Sequence, residues 1–380
     1  MPEAKLKLAI LVPSLHGGGA EFVAREWAKW LADSGYVVNV ILTSCAVDVI
    51  EPPTNVRVIG LKGRSLVSKI RALAAFVRSE RIDVVVGLMP YWNLLALSTK
   101  VTACFGPPRV IISNRNLESV LARSFGLKFR SMNFLARLFY RFADGAIAIS
   151  HPVAAEMVSK YGVDPDRLWV VPNPASGKVL NEQTSAIAGS RVSEDMGAGD
   201  RSHASMLDLV VPARLVTQKR PELALEAALL VKSESPHPLE VRVHFFGAGP
   251  LSGVVEKRAA DMGVLAVMHG WVDQWYMVAP PGSVVLLASA AEGFGNVLVE
   301  ACAVGLPSVA SSRALGVADA IVPGITGVLV SGDSAEDYAR GIERARGMFP
   351  VKADGWLERF SVASSGHELE IVLTQIMRQR

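Results

Sequence analysis

Residues 284–300 read VVLLASAAEGFGNVLVE, and the rest of the chain is organised around them. The first part, residues 284–289, is a short apolar run of the kind that a buried parallel strand uses. Residues 296–304 contain good helix formers and are followed by Gly-Leu-Pro, a sequence typical of a helix end. Glu292 is therefore predicted at the carboxyl end of a strand, and Glu300 about two turns into the next helix.

Between the two glutamates lies a glycine turn whose backbone is expected to bind phosphate. The N–H groups of residues 295–298 are predicted to be free, because the first turn of a helix leaves such groups unpaired and they favour anions. They would point into the crevice where open α/β sheets bind ligands. Acidic side chains for hydroxyl groups and bare amides for phosphate together indicate a nucleotide-sugar site. On spacing alone, surface glutamates at a helix N-terminus are an equally good explanation.

Length and composition predict a globular protein of two or three domains. The chain has 380 residues, of which 50% are hydrophobic and 20% are charged, so it has ample material for a core. The three cysteines have no metal-ligand spacing and their number is odd, which favours reduced thiols. The apolar run 8–12 is too short for a secretory signal, and no uncharged run reaches membrane-spanning length. We expect a cytoplasmic protein that is at most peripheral on the membrane.

The net charge of +3 conceals an uneven distribution. Residues 57–141 contain 15 Lys and Arg against 3 Asp and Glu. Within them, residues 119–142 interleave arginines with aromatic residues, a pattern typical of a helix at an anionic membrane surface. The alternative is that the aromatic side chains face the domain core while the arginines are solvated. Nucleic acid is not expected as a partner, because a nucleotide-sugar crevice is predicted in the same chain.

The first half opens with the strand, glycine turn, helix and strand of a Rossmann-type unit. The strands are predicted at 8–13 and 37–42 and the helix at 20–32, with the glycine turn GGG at 17–19. A dinucleotide site is disfavoured, because the G-x-G-x-x-G spacing is missing and no acid ends the second strand to hold a ribose. The Walker-type phosphate loop is missing from the sequence as well.

The alternation of strands and helices then continues through both halves. A helix is predicted at 65–78, with strands at 83–88, 109–113, 145–150, 207–211, 242–246, 267–269, 284–287 and 308–310. Residues 176–206 are rich in Ser, Gly, Ala and charge and show no periodicity, which indicates a linker. We predict an α/β fold of two doubly wound, Rossmann-like domains facing each other across a cleft. The domains would be 1–172 and 207–365, joined by the linker 173–206.

Two basic residues flank the same predicted crevice as Glu292. Arg214 and Lys219 lie in the segment PARLVTQKRP, residues 212–221, between a predicted strand and a predicted helix. A planar guanidinium and a point charge together suit a diphosphate. Two basic residues at this spacing are also common in solvated loops, so this signal gains weight only beside the others.

Weaker signals come from a second glycine turn and from an apolar pair. Gly247 follows a predicted strand, and Trp271 and Val272 follow another, where they would frame a flat base. The Asp-Pro-Asp sequence at 164–166 has the form of a metal-binding D-x-D, but its position between a glycine and a strand favours a turn.

In their order along the chain, these motifs resemble the retaining family 4 glycosyltransferases of GT-B fold, over nearly the whole sequence. The matching segments are 17–21, 171–174, 213–219, 246–251, 269–272 and 292–301. The last is the most specific, with its two glutamates at Glu-x7-Glu spacing. The closest members in character are bacterial enzymes that build polyprenyl-linked oligosaccharides or surface polysaccharides.

The resemblance implies a role for each matching residue. Glu292 would bind hydroxyl groups of the donor sugar, and Glu300 would bind the ribose. Arg214 and Lys219 would hold the diphosphate, so that catalysis rests on these two and Glu292. The other implied donor-binding residues are Gly18, Gly19, Gly247, Trp271, Val272, Phe294, Gly295, Asn296, Val297 and Leu298. Residues 366–380 would form a helix that crosses back onto the first domain.

The implied reaction moves a sugar from a nucleoside diphosphate sugar, with UDP favoured over GDP, to a lipid-linked or polysaccharide-precursor acceptor. It would form an α-glycosidic bond by front-face substitution, since no first-domain acid stands out as a nucleophile. No cofactor or metal is expected, because Arg214, Lys219 and the amides near Asn296 would cover the diphosphate. A GT-B epimerase and a non-catalytic nucleotide-sugar-binding protein remain alternatives.

The first domain departs from the resemblance at two points. Many family members carry a histidine near the donor sugar, whereas residues 87–90 here contain none. Asn114 stands where comparable relatives have an acid. The candidate residues on the acceptor side are His16, Asn93, Arg115 and Asn116.

Overall fold

The computed structural model describes residues 6–15, 19–43, 53–63, 65–102, 106–124, 126–179 and 206–378. The chain divides into two units. Met1–Pro174 and Ser361–Arg380 form the first unit, and Ala175–Phe360 form the second. Each unit is built on a parallel sheet.

The first unit contains a seven-stranded parallel sheet in its described residues. The strands are β1 (Lys7–Val12), β2 (Val37–Leu42), β3 (Val56–Gly60), β4 (Val84–Leu88), β5 (Arg109–Asn114), β6 (Gly145–Ala148) and β7 (Leu168–Val170). The helices between them are α1 (Gly19–Asp33), α2 (Leu66–Glu80), α3 (Pro90–Thr102), α4 (Glu118–Ser124), α5 (Leu127–Phe139) and α6 (His151–Tyr161). The strand order is β3-β2-β1-β4-β5-β6-β7.

The second unit contains a six-stranded parallel sheet in its described residues. The strands are β8 (Met206–Val211), β9 (Glu240–Phe246), β10 (Leu265–Gly270), β11 (Val284–Leu287), β12 (Ser308–Ser311) and β13 (Gly327–Val330). The helices are α7 (Pro221–Glu234), α8 (Ser252–Met262), α9 (Trp275–Val278), α10 (Asn296–Ala303), α11 (Ala335–Ala345) and α12 (Asp354–Leu357). The strand order is β10-β9-β8-β11-β12-β13.

Both sheets are doubly wound, which confirms the predicted fold class. The strand order reverses between β1 and β4 in the first unit and between β8 and β11 in the second. At such a switch point the loops leave the sheet in opposite directions and open a crevice at the carboxyl ends of the strands. In the second unit the segments that follow β8 and β11 carry the predicted Arg214, Lys219 and Glu292, so these residues lie at the switch point.

The last helix, α13 (Val362–Arg378), belongs to the core of the first unit. The indole nitrogen of Trp27 donates to Oγ of Ser365 over 2.9 Å, and that hydroxyl donates to the carbonyl of Pro172 over 2.7 Å. A Cβ on Gly366 would overlap the ring of Trp30, so the helix packs closely against α1. The helix starts four residues before the predicted 366, inside the predicted second domain, because its first turn already packs on the first unit.

Other differences from the predicted elements concern short or half-exposed segments. Strands β3 and β13 go beyond the sequence prediction, and β3 has one buried residue among its five. Strand β7, with three residues, is the strand that was predicted after the Asp-Pro-Asp turn. The predicted linker begins too early. Residues 175–179 are helical, and Val179 is fully buried beside Val210 and Phe246 in a core cluster of the second unit. Residues 180–205 lie outside the described ranges.

Candidate active site

The loop that carries Arg214 is fixed to the glycine turn after β9. The backbone N–H of Leu215 donates to the carbonyl of Ala248 over 3.1 Å, and the carbonyl of Leu215 accepts from Leu251 over 3.1 Å. A Cβ on Gly247 would overlap the carbonyl oxygen of Ala213, so a side chain there would force the two loops apart. The weak glycine signal of the sequence therefore has a physical reason, which is close approach of two backbones.

Lys219 and Glu292 form an ion pair at the switch point. Lys219 ends a short 3₁₀ turn after β8, and its Nζ contacts Oε1 of Glu292. The two side chains are 16% and 10% exposed, so the pair is largely withdrawn from water. Arg214, in contrast, is exposed. The structure thus brings together Lys219 and Glu292, two of the three residues to which the resemblance assigns catalysis, and the carboxylate is already paired with a cation.

The backbone around Glu292 is held from two sides. Its N–H donates to the carbonyl of Ala314 over 3.1 Å, and its carbonyl accepts from Gly316 over 3.2 Å. On the other side, the amide of Gln218 donates to the carbonyl of Ala291 over 2.9 Å. These bonds fix the position of the Glu292 carboxylate, because both neighbouring loops are tied to the segment that carries it.

The turn before α10 adopts a backbone that favours glycine. Gly295 has φ +96° and precedes the first helical residue, Asn296. The N–H of Leu298 donates to the carbonyl of Gly295 over 3.0 Å, so this group is not free as predicted, because the helix closes its first turn with it. Glu300 is the fifth residue of α10 and lies just over one turn into the helix, less than the predicted two turns.

The Glu300 carboxylate is bound by an indole that the sequence did not point to. Nε1 of Trp275 donates to Oε2 of Glu300 over 2.6 Å, and both side chains are buried. Trp275 lies on α9 and packs near the ring of Phe246, with centroids 6.5 Å apart. A buried indole N–H needs an acceptor, but its sequence position gives no signal of which residue supplies one.

The other predicted donor residues differ in exposure. Phe294 is buried, and its ring lies 5.3 Å from that of Phe360, so it packs in the interior of the unit. Val297 is half-buried at the start of α10. Trp271 is 58% exposed, whereas Val272 packs partly against the core that contains Phe246. Trp271 is therefore accessible to a ligand, whereas Phe294 packs in the core beneath the glycine turn that precedes α10.

A row of polar side chains crosses the second sheet, and its last member, His269, stacks on the ring of Phe246 with centroids 4.1 Å apart. Oδ1 of Asp208 lies 2.7 Å from Nε of Arg242 and 3.0 Å from Nε2 of His244, while Nδ1 of His244 lies 3.0 Å from Nε2 of His269. Burial opposes ionisation of Asp208, but the bonds from Arg242 and His244 outweigh it and lower its pKa. Burial, followed by His244, lowers the pKa of His269. Because these side chains satisfy one another, the row has a structural role.

Two acceptor-side candidates of the first unit are used inside the fold. Asn93 is fully buried, its Oδ1 accepts from the N–H of Ser113 over 3.0 Å, and its Nδ2 reaches Oδ1 of Asn114 over 3.0 Å and the hydroxyl of Tyr140 over 2.9 Å. Oδ1 of Asn116 accepts from the N–H of the next residue over 2.9 Å. Asn93 therefore fixes the end of β5 and does not reach a ligand in solution.

Of the remaining first-unit candidates, the structure describes Gly19 and Arg115. Gly19 is exposed at the start of α1, whereas His16 and Gly18 lie outside the described residues. Nη1 of Arg115 donates to Oδ1 of Asn173 over 2.8 Å. The Arg115 guanidinium also lies over the Trp27 ring, with its carbon 4.4 Å from the ring centroid. Burial lowers the pKa of Arg115 to about 9.

A pair of buried carboxyl groups lies at the start of α4. Oε2 of Glu156 accepts from the N–H of Glu118 over 2.8 Å, and Oε1 accepts from the N–H of Ser119 over 3.2 Å. Burial, followed by the charge of Glu156, raises the pKa of Glu118 to about 8. The sequence did not indicate this pair, since the two acids are 38 positions apart and come together only through packing of α4 on α6.

Two kinds of feature are missing from the described part of the chain. Across the described ranges, no group of three or more His, Cys, Asp or Glu side chains has an arrangement that could hold a metal ion. Within the same residues, no helix combines the length and the hydropathy that crossing a membrane requires.

Comparison with known proteins covers both units. The family described as "Glycosyltransferase Family 4" matches residues 17–176, and the family described as "Glycosyl transferases group 1" matches residues 207–346. A D-inositol 3-phosphate glycosyltransferase of Pseudarthrobacter chlorophenolicus is 33% identical over 215 residues, which are 54% of this chain and 48% of that protein. The chain thus spans about half the length of the curated relatives it matches.

Solved structures share the fold at low sequence identity. The apo form of the lipopolysaccharide outer core galactosyltransferase WaaB aligns with a TM-score of 0.74 at 16% identity, over 97% of this chain and 99% of that one. Anabaena HepE in complex with UDP-glucose aligns with a TM-score of 0.70 at 16% identity, over 97% and 100%. With a family match on each unit and the same two-domain fold throughout, the chain belongs to the family 4, or group 1, glycosyltransferases of GT-B fold.

Proposed function

We propose that the protein is a retaining glycosyltransferase that forms an α-glycosidic bond. Its donor is a nucleoside diphosphate sugar, with UDP favoured over GDP, and its acceptor is a lipid-linked sugar or a polysaccharide precursor. The observation that carries the proposal is the ion pair of Lys219 and Glu292 at the switch point of the second sheet, where Arg214 lies on the same loop as Lys219. A cation, a carboxylate and a helix start at one strand edge are what a diphosphate sugar requires.

The pair suggests how the donor is bound. When a diphosphate arrives, Lys219 exchanges its carboxylate partner for phosphate oxygens, and Glu292 becomes available to accept hydrogen bonds from sugar hydroxyls. Arg214 approaches the diphosphate from the exposed loop. Because negative charge grows on the leaving diphosphate as the glycosidic bond breaks, cations fixed beside it lower the barrier. Glu300, with one oxygen fixed by Trp275, accepts from the ribose.

Two further observations support the donor and the mechanism. A protein of the same fold has been solved with UDP-glucose, which favours a uridine nucleotide. In the first unit, the buried acid Glu118 has its pKa raised to about 8, so it is protonated at neutral pH and is a poor nucleophile for a double displacement. Front-face substitution, in which the leaving diphosphate takes the acceptor proton, uses no enzyme carboxylate as a nucleophile, and we propose this mechanism. With Lys219 and Arg214 on the diphosphate, we propose that no metal ion and no cofactor is required.

Helix α5 suggests where a lipid-linked acceptor is met. Phe134 and Phe142, the latter in the turn that follows α5, are 59% and 56% exposed, and Phe139 is 45% exposed. Arg130 and Arg137 are exposed on the same helix. These three rings are exposed, whereas Tyr140 from the same stretch is buried in the core. Exposed rings among arginines suit the anionic face of the cytoplasmic membrane.

The donor assignment is tested by thermal denaturation with UDP, GDP and ADP. A bound ligand raises the melting temperature by mass action, so we expect stabilisation by UDP in the wild-type chain and a weaker effect in Lys219→Ala. Lys232→Ala, which removes an exposed ion pair with Glu240, is the matched control. If no nucleotide stabilises the wild-type chain, the proposal is wrong.

Turnover assays separate the alternatives. A glycosyltransferase consumes the donor faster when acceptor is added, whereas an epimerase interconverts nucleotide sugars without one. Binding without turnover against lipid-linked and saccharide acceptors would favour a non-catalytic binding protein.

The membrane part is tested by co-sedimentation with vesicles. We expect binding to vesicles that contain anionic lipid, weakened by salt and by Phe134→Ser with Phe142→Ser. Leu265→Ser, an exposed apolar residue of the second unit, is the control. Equal partitioning to neutral vesicles would leave a soluble acceptor as the better assignment.

A further inference from the structure

Arg115 stands directly after β5, at the edge where the strands of the first sheet end. Its Nη1 is bonded to Asn173, which follows β7, and its guanidinium lies over Trp27, which belongs to α1. Three separate elements therefore hold the guanidinium in one orientation. Neither contact supplies a negative charge, because one partner is an amide oxygen and the other is an aromatic ring.

The other two nitrogens of the guanidinium have no hydrogen-bond acceptor. Nε and Nη2 are shielded from solvent and bond to nothing among the residues that the structure describes. They are the two donors of one edge of the guanidinium fork, the edge that binds two oxygens of a carboxylate or a phosphate side by side. Asn173 binds Nη1, so the edge formed by Nε and Nη2, which has the geometry to bind an oxyanion, has no partner in the described part of the chain.

Such an arrangement is unfavourable in the unbound protein. A buried cation without a counter-ion loses its hydration and gains little in return, and each shielded donor without an acceptor adds a desolvation penalty. Burial is the cause that lowers the pKa of Arg115. Shielded polar groups without a partner are rare in native proteins, and those that occur often mark the place where an ion or a ligand binds.

The segment around Arg115 presents no negative charge at neutral pH. Asn114 carries an uncharged amide. Its Oδ1 is taken by Asn93, whose own orientation is set by the backbone of Ser113. Glu118, three residues on, keeps its proton because burial raises its pKa to about 8. An anion that approaches this strand end therefore meets no repulsion from residues 114–118.

We propose that Arg115 binds a phosphate ester carried by the acceptor, through the edge formed by Nε and Nη2. The proposal rests on the function given above and names the chemistry of the acceptor, a monophosphate or a diphosphate next to the group that is glycosylated. Asn173 and Trp27 act as positioning residues that present this edge. Binding includes a local opening, since the two nitrogens are shielded in the unbound protein.

The test separates this subsite from the donor site by silencing the latter. In the full chain carrying Arg214→Ala and Lys219→Ala, pyrophosphate is titrated by calorimetry and by thermal denaturation, with sulfate at equal ionic strength as the reference. We expect pyrophosphate to raise the melting temperature by about 2 °C or more. Adding Arg115→Met should weaken pyrophosphate binding at least about tenfold, the loss of one charge-assisted contact. Arg71→Met, an exposed arginine on α2, is the matched control and should leave binding unchanged.

Farnesyl diphosphate and glucose 1-phosphate distinguish the two sources of the phosphate. Tighter binding of the first indicates a lipid-linked acceptor, and tighter binding of the second indicates a phosphorylated sugar; both must depend on Arg115. Arg115→Lys keeps the charge but loses the two-donor edge, so it should bind pyrophosphate more weakly than wild type even if it folds better than Arg115→Met.

The proposal is overturned if the donor-silenced chain binds pyrophosphate no better than sulfate, or if Arg115→Met lowers the melting temperature but leaves the pyrophosphate affinity intact. Stabilisation of the otherwise unaltered Arg115→Met chain by UDP should persist. Either failure therefore leaves the donor assignment standing, whereas a wild-type chain that no nucleotide stabilises removes the donor assignment itself.

Discussion

Each of the two sheets carries a half-buried cation at its carboxyl edge, and the two cations have opposite kinds of partner. At the carboxyl edge of the second sheet, Lys219 is paired with the carboxylate of Glu292. At the carboxyl edge of the first sheet, Arg115 has an amide oxygen and an aromatic face for partners, and two of its nitrogens have no acceptor in the described residues. Lys219 follows β8, a strand of the switch point, whereas Arg115 follows β5, which lies one strand away from the switch point of its own sheet.

The difference implies two modes of anion binding. A ligand at the second unit must compete with Glu292 for Lys219, so binding there is an exchange, and the released carboxylate becomes part of the site. A ligand at Arg115 displaces no charge, so it relieves an existing penalty. An exchange favours ligands that also satisfy the released carboxylate, as a sugar with hydroxyl groups does. A site of the second kind favours any oxyanion of suitable shape.

Removal of the Lys219 side chain should have the largest effect on stability and on donor turnover. Lys219→Ala leaves the Glu292 carboxylate largely buried without its cation, and breaking such a pair costs about 3 kcal/mol of folding stability. Donor turnover should fall at least about tenfold, because a charge-assisted contact to the diphosphate is lost. Chemical denaturation and initial-rate measurements check both. Lys232→Ala, from an exposed pair, should cost less than about 1 kcal/mol, and equal losses in the two variants would contradict this account.

The pH dependence of stability tests whether Glu118 of the first unit is protonated in the folded protein. The pKa of Glu118 is raised from its ordinary 4.5 to about 8 in the folded protein, so the folded state holds a proton that the unfolded state has released. Glu118 therefore lowers the free energy of unfolding as pH rises between these two values, by up to about 1.4 kcal/mol per pH unit, and has no further effect above them.

Glu118→Gln should remove that slope. The free energy of unfolding of the variant, relative to that of wild type, should therefore be highest at pH 9. Denaturant melts at pH 5, 7 and 9 measure it. Glu368→Gln, an exposed carboxyl on α13, is the control and should follow wild type at every pH. A Glu118→Gln curve parallel to that of wild type would show that the group is ionised throughout.

A smaller effect is expected from the indole that holds Glu300. Trp275→Phe keeps the aromatic packing but removes a 2.6 Å hydrogen bond to the carboxylate. Such a bond to a charged group is worth about 1.5 kcal/mol or more, so the KM for the donor should rise roughly tenfold with a smaller change in kcat. In a Glu300→Gln background the same substitution should change KM much less. Additive effects of the two substitutions would mean that Trp275 does not act through Glu300.

Much of the fold could be predicted from the sequence, because buried parallel strands are continuous apolar runs. The strand before Glu292 and the glycine turn after it are examples. Strand β3 could not be predicted, since only one of its five residues is buried and the segment gives no periodic signal.

The contacts inside the candidate site were less accessible to prediction. The types of residue at the second switch point follow from their positions at strand ends. The pairing of Lys219 with Glu292 and of Trp275 with Glu300, however, depends on how segments 73 and 25 positions apart pack against one another. The prediction of a free N–H at Leu298 was wrong for a similar reason, since the turn at Gly295 uses it locally.

The smallest expected effect is that of metal removal. With Lys219 and Arg214 as the cations beside the diphosphate, turnover in excess EDTA should equal turnover without it within experimental error. Added Mg²⁺ or Mn²⁺ should bring no increase. Loss of activity in EDTA with recovery in either metal would show that the two side chains do not neutralise the diphosphate unaided.

The close approach of the Gly247 turn to the loop at Ala213 has a consequence for the kinetics of donor binding. Because the two backbones are in contact and joined by hydrogen bonds at Leu215, the loop does not search among conformations before it meets the diphosphate. Ordering costs on binding then fall mainly on the side chain of Arg214. Association should therefore occur in a single step without a slow rearrangement of this loop, and a substitution such as Gly247→Ala would turn a preformed contact into one that each donor molecule must assemble.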